Sequence, residues 1–440
     1  MRLTRVEVQG YKNASAPLCL EELGPINVIH GENNTGKSNL LEAIELLFEL
    51  LGKPSKHTGM GQMVIPFPEP WEFDAARWTG ETPEFPAHFI FNLKTTEPIR
   101  LSARFTVEED EWRSSGMYGS MTDCRTIALS MSIKRVVDRI YAGIDAVAFD
   151  DEEWTSDTTG KSGSGPNLRH LLRFLTSNDK ARPVEHRFAV IDAHRNIRPT
   201  LQPLNIALTL YDAKESLDPN HYRRWELFSR LMQRFDDVLG PGELVPVYDR
   251  HLGEAILAFQ TARTRIPLDL LGTGVQQLVH VVALLLLSNA TIVAIEEPEL
   301  NLRYTLQQRL RELFEEIVAS DAGPSQIFIT SHSPAFETGP FFYHLETGAD
   351  GPTITRRPVT DATMATAYTM DHLGPRGRAP LSYVTSDGLV QLPDAIRSRL
   401  GIERGGGIVV LKRTEHPYVE LLTNQQFMDV MGPIEAEDGE

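Results

Sequence analysis

The sequence predicts an α/β protein with a parallel-sheet core, an antiparallel β subdomain and a small β-rich domain towards the C-terminal end. Three observations lead there. Gly31-Glu-Asn-Asn-Thr-Gly-Lys-Ser38 is a G-x4-G-K-S loop set between an apolar strand, Ile26-Asn-Val-Ile29, and a helix with Leu40, Leu41, Ile44, Leu46 and Leu47. Two continuous apolar runs, 291–295 and 326–330, flank Leu302, Leu306, Leu310, Phe314 and Ile317 at helical spacing. That is a strand–helix–strand unit whose strands are buried on both faces. Alternating segments (Ile99, Leu101, Ala103, Phe105, then 126–133 and 139–149) predict antiparallel strands.

In chain order, residues 1–50 read as three strands, the glycine loop and a helix. Residues 52–87 are rich in Pro and Gly and predict a long insertion with few regular elements. Phe89, Phe91 and Leu93 open the antiparallel region at 88–108. Phe188-Ala-Val-Ile191 reads as a buried strand and 221–239 as a helix. A second Gly-Lys-Ser, at 160–162, lacks both the first glycine and a preceding strand, so it reads as a loop.

The chemistry follows from position. Successive N–H groups of a glycine-rich loop face an anion, and the following helix adds its positive end. Gly31, Asn33, Asn34, Thr35, Gly36 and Asn39 frame this loop. Lys37 is expected on the β- and γ-phosphates of ATP and Ser38 on Mg²⁺. Glu296, Glu297 and Glu299 leave the 291–295 strand together. Adjacent acids there are costly without a cation, and nucleotide-bound Mg²⁺ supplies one. Glu296 is assigned to the metal and Glu297 to the attacking water; Glu299 reads equally as a surface acid capping the next helix. His332, after the next strand, is placed to bond the γ-phosphate. Leu271-Gly-Thr-Gly-Val275 opens a helix running to about Ser288, and small residues with a hydroxyl there make a second anion site.

These motifs, in this order, resemble the ATP-binding-cassette ATPases of the OLD and RecF-like branch, over residues 1–358. The resemblance implies heads that pair head-to-tail around two ATP molecules. It places Lys37, Glu297 and His332 in catalysis, Ser38 and Glu296 on Mg²⁺, and Thr273 and Gly274 on the γ-phosphate of the other subunit. Asn301 falls at the subunit-contact loop. Val275 departs from the second glycine of transporter-type members, and no nuclease pattern follows His332.

Beyond a linker at 359–380, residues 381–425 resemble the AbrB/MazE-like swapped-hairpin domain, which implies dimerisation. Leu389 and Gly406 stand where DNA-binding members carry Arg and Asp, so DNA binding is not expected from it. Residues 426–440 form an acidic tail.

The 440 residues, 41% hydrophobic and 23% charged, describe an ordinary globular chain. The longest apolar run, 281–287, is too short to cross a bilayer, and the first residues lack a signal-peptide core. Two cysteines, Cys19 and Cys124, give no disulfide framework. The expected compartment is the cytoplasm. A net charge of −17 argues against general nucleic-acid coating. Arg223, Arg224, Arg230 and Arg234 offer a basic stripe, interrupted by Glu226 and Asp236-Asp237, that reads better as a solvated helix face.

The expected protein is therefore an ATP-hydrolysing switch, a homodimer or higher homo-oligomer. It would be read by DNA or by a separate effector chain such as a nuclease or toxin, in anti-phage defence or DNA repair. The rival readings are an ATP-regulated DNA-binding module working through the tail, and an ATP-binding scaffold with little turnover.

Overall fold

The computed structural model describes residues 1–52, 70–73, 90–92, 94, 97–108, 111, 125–136, 139–150, 152–155, 168–176, 187–198, 204–251, 253–337, 340–349, 351–358, 383–384, 390–391, 408–412 and 419–423. They fall into two units, Met1–Arg357 and Pro358–Glu440.

The first unit opens with β1 (Arg2–Gln9), β2 (Leu18–Glu21) and β3 (Ile26–His30), followed by α1 (Lys37–Gly52). β1 and β2 join an antiparallel sheet with β4 (Trp71–Glu72), β5 (Ile99–Thr106), β6 (Thr126–Val136), β7 (Arg139–Phe149) and β8 (Glu152–Thr155), in the order β2-β1-β5-β6-β7-β4, with β8 also on β7. β5 alternates buried and open positions, as its sequence does. Of the strands expected at 88–108, the first contributes only a bridge between Tyr11 and Phe91 among the described residues.

A second sheet holds β9 (Phe188–Ile191), β10 (Ile197–Arg198), β14 (Ile292–Glu296), β15 (Gln326–Ser331), β16 (Phe341–Gly348) and β17 (Gly351–Pro358) around β3, in the order β10-β9-β14-β15-β3-β16-β17. β9, β14, β15 and β3 run parallel. Every residue of β9, β14 and β15 is buried, which is why their middles are apolar without alternation, with polar residues confined to the ends of β14 and β15.

α1 shares one core with the facing sides of both sheets, with α2 (Leu168–Thr176) against it. Phe48 joins the layers: its ring stacks on Phe188 of β9 at 5.1 Å and meets Phe105 of β5 edge-on at 5.9 Å. Gln326 is a second, polar joint. Fully buried at the start of β15, its amide accepts from the Leu3 N–H at 3.0 Å and donates to the Leu3 and Gly24 carbonyls at 2.8 and 2.9 Å.

Between β10 and β14 lie α3 (Ile206–Glu215), α4 (Pro219–Gln233), an antiparallel meander of β11 (Glu243–Asp249), β12 (Glu254–Gln260) and β13 (Arg265–Pro267), and α5 (Thr273–Leu287). The helix expected at 221–239 instead begins at Pro219, capped by Asp218, and stops at Arg234 because Phe235 turns into the core. A separate turn, Asp236–Leu239, follows and ends at Gly240 with φ +85°. α6 (Tyr304–Val318) joins β14 to β15 and packs on β3 and β15.

In the second unit, β18 (Tyr383–Val384) pairs antiparallel with β19 (Val390–Gln391), and β20 (Ile408–Lys412) with β21 (Val419–Thr423). Two antiparallel pairs agree with the small β-rich domain expected there. The helix expected near Pro393, the linker at 359–380, the tail at 426–440, most of the 52–87 insertion and the 160–162 loop lie outside the described residues.

Candidate active site

Parallel pairing brings the strand ends to one edge. Ile295 is level with Ile191, Glu296 with Thr330, and Ser331 with His30. The segments that leave β3, β15, β14 and β9 therefore emerge side by side, the position where open α/β sheets bind ligands.

The glycine loop leaves β3. Gly31 passes so close to β16 that a Cβ would stand 2.5 Å from the Leu345 carbonyl oxygen. Asn34 and Gly36 adopt left-handed φ values of +72° and +102°, which curl the chain. The buried Thr35 hydroxyl donates to the Glu32 carbonyl at 3.0 Å, while Asn33 is exposed. Asn13, from the turn after β1, braces the loop by donating to the Thr35 carbonyl and accepting from Asn39 at 2.9 Å. Lys37 is buried, and its ammonium donates to the Gly31 and Glu32 carbonyls at 2.7 and 2.8 Å. Burial lowers its pKa, opposed by Glu297 and Glu299.

The three acids separate into three environments. Glu296 is buried at the end of β14, close to Ser38 and 3.5 Å from the Arg198 guanidinium. Burial pushes its carboxyl above the ordinary range, and Arg198 and Ser38 pull it back. Arg198 also approaches Glu45 at 3.5 Å and Glu42 at 3.8 Å. Part of the cation requirement read from the acidic pair is thus met by the chain itself.

Glu297 takes φ +43° and its N–H donates to the Thr330 carbonyl at 2.9 Å, leaving its carboxylate partly open, 3.9 Å from His332 Nδ1. Glu299 is no surface cap. It is 4% exposed, and its carboxylate accepts from Ser331 Oγ at 2.6 Å and the His332 N–H at 2.9 Å, pinning the turn after β15. His332 is half-exposed, with Nδ1 3.3 Å from Glu299.

The Thr273 helix start stands slightly apart. Gly272 and Thr273 are exposed. Gly274 packs so that a Cβ would meet the Asn301 carbonyl oxygen at 3.1 Å, and Asn301 has φ +61°. The two elements expected to face another subunit therefore lie together. Gln277, one turn further along, accepts from Arg195 Nε at 2.8 Å.

Arg195, Arg198 and Asn13 were not anticipated from the sequence. A signal existed for Arg195: Asp192-Ala-His-Arg195 trails a buried parallel strand just as the other motifs do.

Among the described residues no group of three or more His, Cys, Asp or Glu side chains forms a metal cage. The Ser38 hydroxyl and the Glu296 carboxylate beside it are a pair of hard oxygen donors, which suits Mg²⁺ completed by phosphate and water rather than by protein. The residues fit that ion.

Two families match the chain. The one described as "AAA ATPase domain" matches residues 195–336. The one described as "AAA domain, putative AbiEii toxin, Type IV TA system" matches residues 26–135. A relative named "ATP/GTP phosphatase", from Helicobacter pylori (strain ATCC 700392 / 26695), is 21% identical over 363 residues, 75% of this chain and 85% of its own. In fold the protein is similar to the crystal structure of an SMC head bound to the C-winged helix domain of ScpA. That likeness has a TM-score of 0.50 and 12% identity over 82% of this chain and 99% of the other. Residues 26–135 and 195–336 are thus similar to AAA-type ATPase domains, and the fold is like that of an SMC head. Among the described residues no helix is long and apolar enough to cross a membrane.

Proposed function

We propose that the protein binds and hydrolyses ATP as a switch whose heads close around nucleotide, within the OLD and RecF-like branch. The observation that carries this is the convergence, on one edge of four parallel strands, of the phosphate loop, a pair of acids and a histidine. The relative's printed name, a phosphatase of ATP and GTP, supports turnover.

In this reading Lys37 exchanges its own-loop carbonyls for β- and γ-phosphate oxygens, a swap of neutral acceptors for anionic ones that strengthens each bond. Ser38 and Glu296 would hold Mg²⁺, which when bound neutralises charge on the phosphates. Glu297, the most open of the three acids, orients and deprotonates the attacking water. His332, oriented through its N–H by Glu299, contacts the γ-phosphate. Thr273 and Gly274, beside Asn301, complete the site of a second copy. A nucleic acid or a separate effector, a nuclease or toxin, reads the closed state. The docking of ScpA on the SMC head supports a partner of that kind.

The stripe Arg223, Arg224, Arg230 and Arg234 does not favour the DNA-binding reading. Arg224 bonds Asn289, and Arg230 and Arg234 pair with Glu312 and Glu316 of α6. In the AbrB-like tail, Val410 and Leu421 stand opposite each other across β20 and β21, as a shared barrel would require. It would hold two heads together without nucleotide, raising their effective concentration.

The test is turnover and sedimentation with Glu297→Gln. Hydrolysis by wild type, with a variant that binds ATP, does not turn it over and accumulates as closed dimers, is the expected result. Wild-type turnover in the variant would overturn the reading.

A further inference from the structure

We propose that Arg195 is a positioning residue that carries the state of the Thr273 helix start to the backbone of the two catalytic acids. The inference rests on the function proposed above and adds to it how the second copy's engagement would reach the chemistry.

Arg195 lies four residues past the end of β9, and its guanidinium joins three segments. Nη1 donates to the Glu296 carbonyl at 2.9 Å and, more weakly, to the Asp192 carbonyl at 3.4 Å. Nη2 donates to the Glu297 carbonyl at 2.9 Å. Nε donates to Gln277 on α5 at 2.8 Å. A planar fork with fixed N–H directions can span two adjacent carbonyls and a side-chain amide at once; an ammonium cannot.

Two further observations give the clamp its purpose. Arg195 and Glu297 both hold left-handed φ values, +67° and +43°, unfavourable for residues with a Cβ. Such strain persists only where surrounding bonds over-determine it. The Glu297 peptide is held on both sides, its N–H by the Thr330 carbonyl and its carbonyl by Arg195. The direction of the Glu297 carboxylate therefore depends on where Arg195 stands.

Gln277 is four residues after Thr273, hence on the same helix face one turn away. A shift of the exposed helix start on meeting a second copy moves Gln277, and with it the guanidinium and the acids' backbone. The link from Arg195 to α5 is a single hydrogen bond.

The experiment compares Gln277→Leu with Gln277→Glu in the full chain, measuring ATP affinity, kcat and thermal melting. Gln277→Leu keeps both Arg195 bonds to the acids' carbonyls but cuts the link to α5. We expect kcat to fall about tenfold with ATP affinity within about twofold, since misplacing a catalytic group by a fraction of an ångström is enough for that. Gln277→Glu restores an acceptor for Nε and brings kcat back to within about twofold of wild type. Arg195→Lys, which loses the fork, lowers kcat about a hundredfold; should it melt early, the Gln277 pair decides alone. Wild-type kcat in Gln277→Leu, no recovery in Gln277→Glu, or an equal loss of ATP affinity in Gln277→Leu would each overturn the inference. Glu297→Gln, run beside them, separates the failures: if it is inactive while Gln277→Leu is normal, the switch stands and only the Arg195 link falls.

Discussion

Two regions of the first unit are crowded with acids and basic groups, and they obey different physics. At the strand-end edge, Glu296, Glu299 and Lys37 are buried. Lys37 and Glu299 are held by particular backbone or hydroxyl partners at hydrogen-bonding distance, and Glu296 lies 3.5 Å from the half-buried Arg198. Between α4 and α6, Arg230 and Arg234 meet Glu312 and Glu316 in a ladder whose arginines are 64% and 46% exposed. Both look alike in composition. In the first, removing one group strands another in a place water cannot reach; in the second, water and salt replace whatever is lost. The arginines that looked like a nucleic-acid stripe belong to the second kind.

Lys37→Ala should break the comparison most. The loop backbone survives, but the only side-chain cation in the loop is gone. ATP affinity should fall by at least about 2 kcal/mol, roughly thirtyfold, in a labelled-nucleotide titration. Near-normal affinity would remove the phosphate loop from the proposed function.

Gln326→Leu should give the largest loss of stability away from the chemistry. The Leu3 N–H and carbonyl lose their side-chain partner where water does not enter, while the Gly24 carbonyl keeps its bond from Asn27 at 2.8 Å. With about 1–3 kcal/mol for each buried group left unsatisfied, the loss should reach about 3 kcal/mol. Denaturant unfolding measures it; a loss under about 1 kcal/mol would show that the two sheets do not depend on this joint.

What could be read from sequence, and what could not, divides along the same line. The loop at 31–38, the acids after β14 and His332 were legible because each follows an unbroken apolar strand, and a parallel sheet brings such ends together wherever they lie in the chain. Asn13, Gln326 and Arg195 were not, because their partners are backbone atoms 22 to 323 residues away, and backbone atoms leave no trace in residue type. Glu299 reads from sequence equally as a surface acid for a related reason. Its neighbours in sequence suit a helix start, whereas its actual donors come from the next strand's turn. The early stop of α4 rests on the burial of Phe235, which helical periodicity alone cannot distinguish from one more apolar position.

Glu296→Gln sharpens the comparison with pH. Burial raises this carboxyl in the folded protein, so from about its ordinary value of 4.5 up to the raised one the native state binds more protons than the unfolded state. Stability from this group is then present at low pH and lost as pH rises through that window. Glutamine has the same size and never ionises. The variant should melt above wild type at pH 8, with the gap closing towards pH 4, while its Mg²⁺ dependence weakens. A gap of the same size at every pH would show that Arg198 and Ser38 fully offset the burial.

The smallest effect belongs to the ladder. Arg234 lies 2.7 Å from Glu316 and 3.5 Å from Glu312, and a distance-based reading would rank it with the site. Exposure argues otherwise: at 46% for Arg234 and 32% for Glu316, solvent screens the charges and ordering two long side chains costs entropy. A double-mutant cycle of Arg234→Ala and Glu316→Ala should return a coupling of about 0.2–1 kcal/mol. Because charges this open are screened within a few ångströms at 1 M salt, the coupling should vanish there. ATP affinity should be unchanged in all three variants, since Arg234 and Glu316 pair with each other and with neighbours on α4 and α6, away from the strand-end edge. A coupling above about 2 kcal/mol that survives salt would mean that the α4–α6 contact excludes water as the site does, and the distinction drawn between the two regions would fail.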